Sequence, residues 1–229
     1  MKERPILFSG PMVRAILDGR KTQTRRIMKP QPTYDGFWWS HKGYSCGGEK
    51  QFRDGLPLFA GCPYGAVGDR LWVREKWGPC DANYKQHIAT ATYACFPDGS
   101  QKFKLGTYFQ YNNNPDDIAS KWPTGWKWRP SIHMPRWASR ITLEITGVRV
   151  ERLNEISESD AIAEGIESKP QPYGKELDWK YYGWLEKLNQ WSTCPIRSYE
   201  SLWNSINGPE SWAANPWVWA VEFKRIKTA

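Results

Sequence analysis

The stretch "RWASRITLEITGVRVERL", residues 136–153, carries the strongest periodic signal in the chain. Ile141, Leu143 and Ile145 alternate with other residues, and the pattern resumes through Val148 and Val150. Successive strand side chains point to opposite faces, so the alternation predicts strand with one face buried. Gly147 interrupts it, and the reading is two strands broken at that glycine. Towards the C-terminus, "ISESDAIAEGI" reads as a short helix. Ser157 is its cap, Asp160 takes the acidic position of a capping box and Gly165 closes it. "RSYESLWNSIN" is amphipathic, with Tyr199, Leu202, Trp203 and Ile206 on one side, and "WVWAVEFKRI" ends the chain as a strand. Towards the N-terminus, "VGDRLWVREKW" is a turn at Gly68-Asp69 followed by a strand. Ser9, Pro11 and the stripe Met12, Val13, Ile16 and Leu17 predict a first helix that Gly19 ends. "KTQTRRIM" after it is strand-like until Pro30 and Pro32 stop regular structure.

Three stretches lack sustained periodicity: roughly 33–66, 78–128 and 168–196. The first reads as a long loop and the third as an insert. In the second, "ATATYACF" and "KLGTYFQY" read as a hairpin, while "YNNNPDD" and "WPTGWKW" read as turns. Short strands, a few helices and no β-α-β alternation give an α+β class and a small mixed β-barrel with flanking short helices.

The chain has 229 residues, with 32 Lys and Arg against 24 Asp and Glu, a formal charge of +8. A single domain with insertions accommodates that length, and the charge makes a polyanion a reasonable partner. Fifteen tryptophans suit either a Trp-rich core or base stacking in a groove. The N-terminus, "MKERPILFSG", has no apolar run, which leads to the expectation of a cytoplasmic protein without a membrane partner. The five cysteines form no C-x-x-C pair, and His41, His87 and His133 add no ligand spacing. Reduced thiols are expected, with no metal; a site drawn from Cys46, Cys62, Cys80 and a histidine is the alternative that spacing supports less.

"DGRKTQTRR", residues 18–26, is where chemistry concentrates. In a strand, Thr24 and Arg26 point the same way. Lys21 lies where the chain is still turning, and its stem reaches a point beside the Thr24 hydroxyl. A threonine needs a base to become a nucleophile. A lysine serves as that base only if burial and a neighbouring cation, here Arg26, push its amine towards neutrality.

The spacing G-x-K-x-x-T-x-R, carried by Gly19, Lys21, Thr24 and Arg26, resembles the signature of ASCH-domain proteins, whose fold is PUA-like. The family's common pattern has Glu at the position of Thr24; the Thr form resembles the small bacterial N4-acetylcytidine amidohydrolases. "VGDRLWVRE", "LNEISESDAIAEGI" and "VWAVEFKRI" match further family segments in order, and the chain resembles longer ASCH-type phage and prophage proteins. The resemblance covers about half of the chain and implies a PUA-like barrel with the three aperiodic stretches as insertions. It implies hydrolysis of an amide on a modified nucleoside or nucleobase, with Lys21, Thr24 and Glu164 catalytic and Arg26 binding substrate. No cofactor is implied. The expected partner is a modified nucleoside or a nucleic acid, RNA in preference to DNA. Glu75, which shares strand parity with Leu71 and Val73, is a second candidate carboxylate, and Arg136, Trp137 and Arg140 are candidates for the pocket rim. A reader that binds modified nucleic acid without chemistry, and a metal-independent ribonuclease, are the competing functions.

Overall fold

The structure, a computed structural model, describes the chain apart from residues 58–60, 83–90, 99–100, 104–128, 172–175, 185, 187–188 and 227–229. At 79–82, 91–95 and 101–103 it describes backbone alone. In chain order the first described elements are β1 (Glu3–Leu7), α1 (Gly10–Leu17), β2 (Gln23–Ile27), β3 (Thr33–Tyr34), β4 (Trp39–His41), β5 (Tyr44–Cys46) and α2 (Glu49–Leu56). They are followed by β6 (Arg70–Arg74), β7 (Gly78–Ala82), β8 (Ala91–Cys95), β9 (Gln101–Phe103) and β10 (Thr142–Arg152). The rest are α3 (Glu158–Ala163), β11 (Ser168–Pro170), β12 (Leu177–Lys180), β13 (Trp191–Ser192), α4 (Pro195–Asn207) and β14 (Trp217–Ile226). The class is α+β.

The alternating stretch is one strand, not two. β10 pairs with β14 along its length and with β6 over its first three residues. Gly147 marks a bulge, where the register to β14 shifts after Ile145. A Cβ there would lie 2.7 Å from a carboxylate oxygen of Glu222 on the partner strand, so glycine lets the ladder absorb the extra residue.

The main sheet has the order β1-β6-β10-β14-β2 and leaves β1 and β2 as edges. It is an open sheet rather than the closed barrel expected. At one end the edges are joined by a side chain: Arg26 on β2 donates to the Leu7 carbonyl on β1 at 2.6 Å, with its guanidinium 5.3 Å from the Phe8 ring. β1, parallel to β6, had no counterpart in the sequence reading. The stretch 33–66 is not simply loop. It forms the β3-β4-β5 sheet and α2, whose Phe52 and Leu56 are fully buried. The insert at 168–196 contains the β11-β12-β13 sheet. "ATATYACF" supplies β8, which pairs with β7 and β9; "KLGTYFQY", "YNNNPDD" and "WPTGWKW" fall outside the described residues.

β14 separates two cores. Trp217, Trp219, Val221 and Phe223 pack with Phe8, Val13, Ile16, Leu143 and Ile145. Val218 faces the other way, onto Leu153, Ala161, Tyr199 and Trp203. Each large apolar side chain buried this way stabilises the fold by roughly 1.5–3 kcal/mol. Trp72, Trp77, Trp179, Trp203, Trp217 and Trp219 are all buried, so the core reading holds for these six. β2 inherits the alternation through its pairing with β14, with Thr24 opposite Val221, Arg25 opposite Ala220 and Arg26 opposite Trp219. No described helix is long and apolar enough to cross a membrane.

Candidate active site

The site is built where two helix C-termini meet. α1 ends at Gly19, whose φ of 77° turns the chain out of the helix. The backbone amides of Arg20 and Lys21 then both donate to the Ala15 carbonyl, at 2.9 and 3.0 Å. α3 starts as the sequence predicts, with the Ser157 hydroxyl accepting from the Asp160 amide at 3.1 Å. It ends at Glu164 and Gly165. Its final carbonyls have no partner within the helix, and residues 20–22 supply donors: Thr22 N–H to Ala163 at 2.9 Å, the Lys21 amine to Glu164 at 2.8 Å and Arg20 to Gly165 at 3.1 Å. Gly165 is required twice. Its φ is 85°, and a Cβ there would lie 2.7 Å from the Lys21 Cβ.

This packing buries Lys21 and Glu164, which are 2 % and 4 % exposed, and brings Nζ within 2.7 Å of the Glu164 Oε2. The other carboxylate oxygen lies 3.3 Å from Nη1 of Arg25. The Arg25 side chain, wholly buried, also donates to Glu151 at 2.7 Å and to Asp160 at 2.9 Å. Arg149 shares Asp160 at 3.0 Å. Glu164 is thus held from both sides, by an amine on one oxygen and a guanidinium on the other.

Burial pulls the Lys21 amine below the ordinary lysine range. The Glu164 carboxylate opposes this, Arg26 and Arg25 reinforce it, and the net direction is downward. That is the direction a general base needs. Burial also disfavours the charge on Arg25, but the surrounding carboxylates outweigh it and hold the guanidinium protonated. Burial, with the Glu164 charge added, pushes the Tyr199 phenol well above its usual range.

A cavity of about 420 Å³ opens beside the pair. Thr24, Arg25 and Arg26 reach it from β2, Glu164 from the end of α3, and Tyr199, Leu202, Trp203 and Ile206 from α4. Because β2 is an edge strand, side chains from both of its faces contribute. Thr24 is buried on this wall. Both side-chain hydrogen bonds of Lys21 go to Glu164, and among the described residues none joins the amine to the Thr24 hydroxyl. The carboxylate and the hydroxyl therefore lie around one volume, and the amine stands behind the carboxylate in direct contact with it.

The other expected residues form a separate cluster. Glu75 is buried and bound by both Nε and Nη2 of Arg140, at 2.9 and 2.8 Å. Arg140 also reaches Asp98 at 2.6 Å and lies 4.2 Å from the Phe96 ring. Arg136 pairs with Glu3 at 2.8 Å, and Trp137 packs edge-on to Trp77 at 6.0 Å. None of the four lines the cavity. The β6 parity reasoning located the burial of Glu75 correctly but not its partner, because Arg140 precedes β10, next to β6, and occupies the carboxylate completely.

Three residues escaped the sequence reading as site members: Arg25, Tyr199 and Trp203. Arg25 lies on the face of β2 opposite Thr24, which alternation assigns away from the site. The signal that would have found it is the pair of acids, Glu151 and Asp160, on segments already recognised as strand and helix cap. Cys46 and Cys62 are buried free thiols, and burial raises Cys62 to about 11. No group of three or more His, Cys, Asp or Glu placed to hold a metal occurs among the described residues, which exclude the Cys80 side chain. Compared with protein-family profiles, curated proteins and solved structures, the chain matches none of them.

Proposed function

We propose that this protein is an ASCH-type, PUA-like amidohydrolase of the cytoplasm that removes an acyl group from the exocyclic nitrogen of a modified nucleoside or nucleobase, of the N4-acetylcytidine kind. The observation that carries this reading is the buried Lys21–Glu164 pair, whose acid lines a cavity that Thr24 also lines while the amine stands directly behind it.

In this reading Lys21 takes a proton from a water that Thr24 orients as the water oxygen attacks the amide carbonyl; if the Thr24 hydroxyl attacks instead, a water then cleaves the acyl-threonine ester, releasing the acid and restoring the hydroxyl. The proton passes along the 2.7 Å contact to Glu164, which delivers it to the leaving exocyclic nitrogen. Arg25 keeps the Glu164 carboxylate in place through its other oxygen. Arg26 and the Tyr199 hydroxyl are donors on the cavity wall, available to a base carbonyl or to a developing oxyanion.

Incubation with a panel of N-acylated nucleosides, followed by chromatography, tests this. Wild-type protein should release the parent nucleoside, and Lys21→Ala and Thr24→Ala should not. Absence of release from every acylated nucleoside would sink the proposal. A non-catalytic reader is the second reading, favoured by one observation: Phe37, Trp38 and Trp184 are 79 %, 53 % and 71 % exposed, as stacking platforms for bases are. Tight binding to single-stranded RNA that weakens steeply with salt, without turnover, would select it.

A further inference from the structure

The cavity carries more positive charge than the proposed chemistry uses. Lys29 and Lys42 both line it, and neither contributes to the Lys21–Glu164–Arg25 network. Both are exposed, and among the described residues neither has a carboxylate partner. They come from separate segments, Lys29 from the stretch after β2 and Lys42 from the turn between β4 and β5. Lys42 has a φ of 46° and Gly43 one of 83°. Two successive positive φ angles belong to hairpin turns that favour Asn, Asp or Gly, so a lysine there is placed against its backbone preference.

Deeper in, the chemistry changes. Trp203 is 4 % exposed and its indole N–H has no partner; the Nε–H of Arg26 is likewise buried and unpaired. Both residues line the cavity, and unpartnered buried donors of this kind call for an acceptor. Glu164, the one carboxylate that lines the cavity among the described residues, is already held by Lys21 and Arg25. The volume of about 420 Å³ lies near the lower end of small-molecule sites, a size that suits one nucleotide.

We infer that the ligand is a nucleoside monophosphate, its acceptor-bearing base directed at Arg26 and Trp203 and its phosphate held at the rim by Lys29 and Lys42. This rests on the nucleoside reading above and narrows its substrate class. It is read by binding alone, so it stands or falls separately from turnover.

Isothermal titration with cytidine, cytidine monophosphate and a short single-stranded oligocytidylate tests it, on wild type and on the double variant Lys29→Gln/Lys42→Gln. The monophosphate should bind wild type about tenfold more tightly than cytidine, a gain expected of two solvent-facing charge contacts. In the double variant the ratio should fall towards one. The surface position of both lysines keeps the variant folded. Equal affinity for the two ligands in wild type, or a ratio that survives the double substitution, would overturn the inference. An oligonucleotide that binds more tightly than the monophosphate would also overturn it, in favour of a strand as the ligand. Equal affinity for cytidine and its monophosphate, together with hydrolysis of acylated nucleosides, would leave the enzyme standing and remove this inference alone. Phosphate-dependent binding without hydrolysis would do the reverse.

Discussion

Two acid–base pairs with buried acids flank the main sheet, and they differ in what surrounds them. Glu75 and Arg140 form a two-point ion pair, with Asp98 on another guanidinium nitrogen and the Phe96 ring packed against it. Every feature of that cluster satisfies charge, and none of it faces the cavity. Lys21 and Glu164 are buried more deeply, the acid is shared with Arg25, the amine is driven below its ordinary range, and the acid stands on a cavity wall. The contrast teaches that burial of an ion pair does not mark chemistry by itself. A base driven below its ordinary range, paired with an acid that lines a cavity, does so more specifically.

The comparison breaks most sharply through substitution of the two basic partners. Lys21→Ala should lower the hydrolysis rate by roughly 10²–10⁴-fold, the usual contribution of a general base, measured as nucleoside release per folded molecule. Arg140→Ala should do the opposite. It strands Glu75, costing about 3–5 kcal/mol by denaturant unfolding, while activity per folded molecule stays at the wild-type level. If Arg140→Ala abolished activity without loss of stability, the assignment of the two clusters would be reversed.

A smaller effect is expected at Gly165, where the added methyl meets Lys21 and the backbone is left-handed. Gly165→Ala should destabilise by about 1–3 kcal/mol and reduce activity by moving Lys21. Unchanged stability and rate would show that the contact is not tight.

The smallest and most specific effect is on pH dependence. Because the folded state holds Lys21 below its unfolded value, the unfolded chain binds the proton more strongly in between. This group's contribution to stability therefore rises with pH across that window, is complete above the unfolded value near 10.4 and is lost as pH falls through the folded one. Hydrolysis should likewise rise with pH and level off before the range of an ordinary lysine. Lys21→Met should flatten the stability profile in that window.

Much of this was legible in the residues, and the failures are physical. Ser157, Asp160 and Gly165 announced α3 because capping is local chemistry. Lys21, Thr24 and Glu164 were singled out from short segments that resemble a family signature, and of these the structure brings Lys21 and Glu164 into contact and places Thr24 and Glu164 on one cavity. The β-bulge at Gly147 was read as a strand break because alternation loses phase at a bulge whether or not the ladder continues. β3, β4 and β5 span two or three residues each, too few to show a period. Arg25 was missed because parity argued it away from Thr24, whereas an edge strand exposes both of its faces to one cavity. Glu75 was misassigned because a sequence shows that a carboxylate faces inward, not which cation meets it there.

The central claim is that the Lys21 amine is a base held below the ordinary lysine range beside Glu164. Its most direct test is a pH titration of the Lys21 side-chain methylene signal by NMR in the intact protein, assigned through Lys21→Arg. The account predicts a midpoint below that of the exposed lysines, moving further down in Glu164→Gln as the opposing charge is removed. A midpoint at or above the exposed lysines would contradict it.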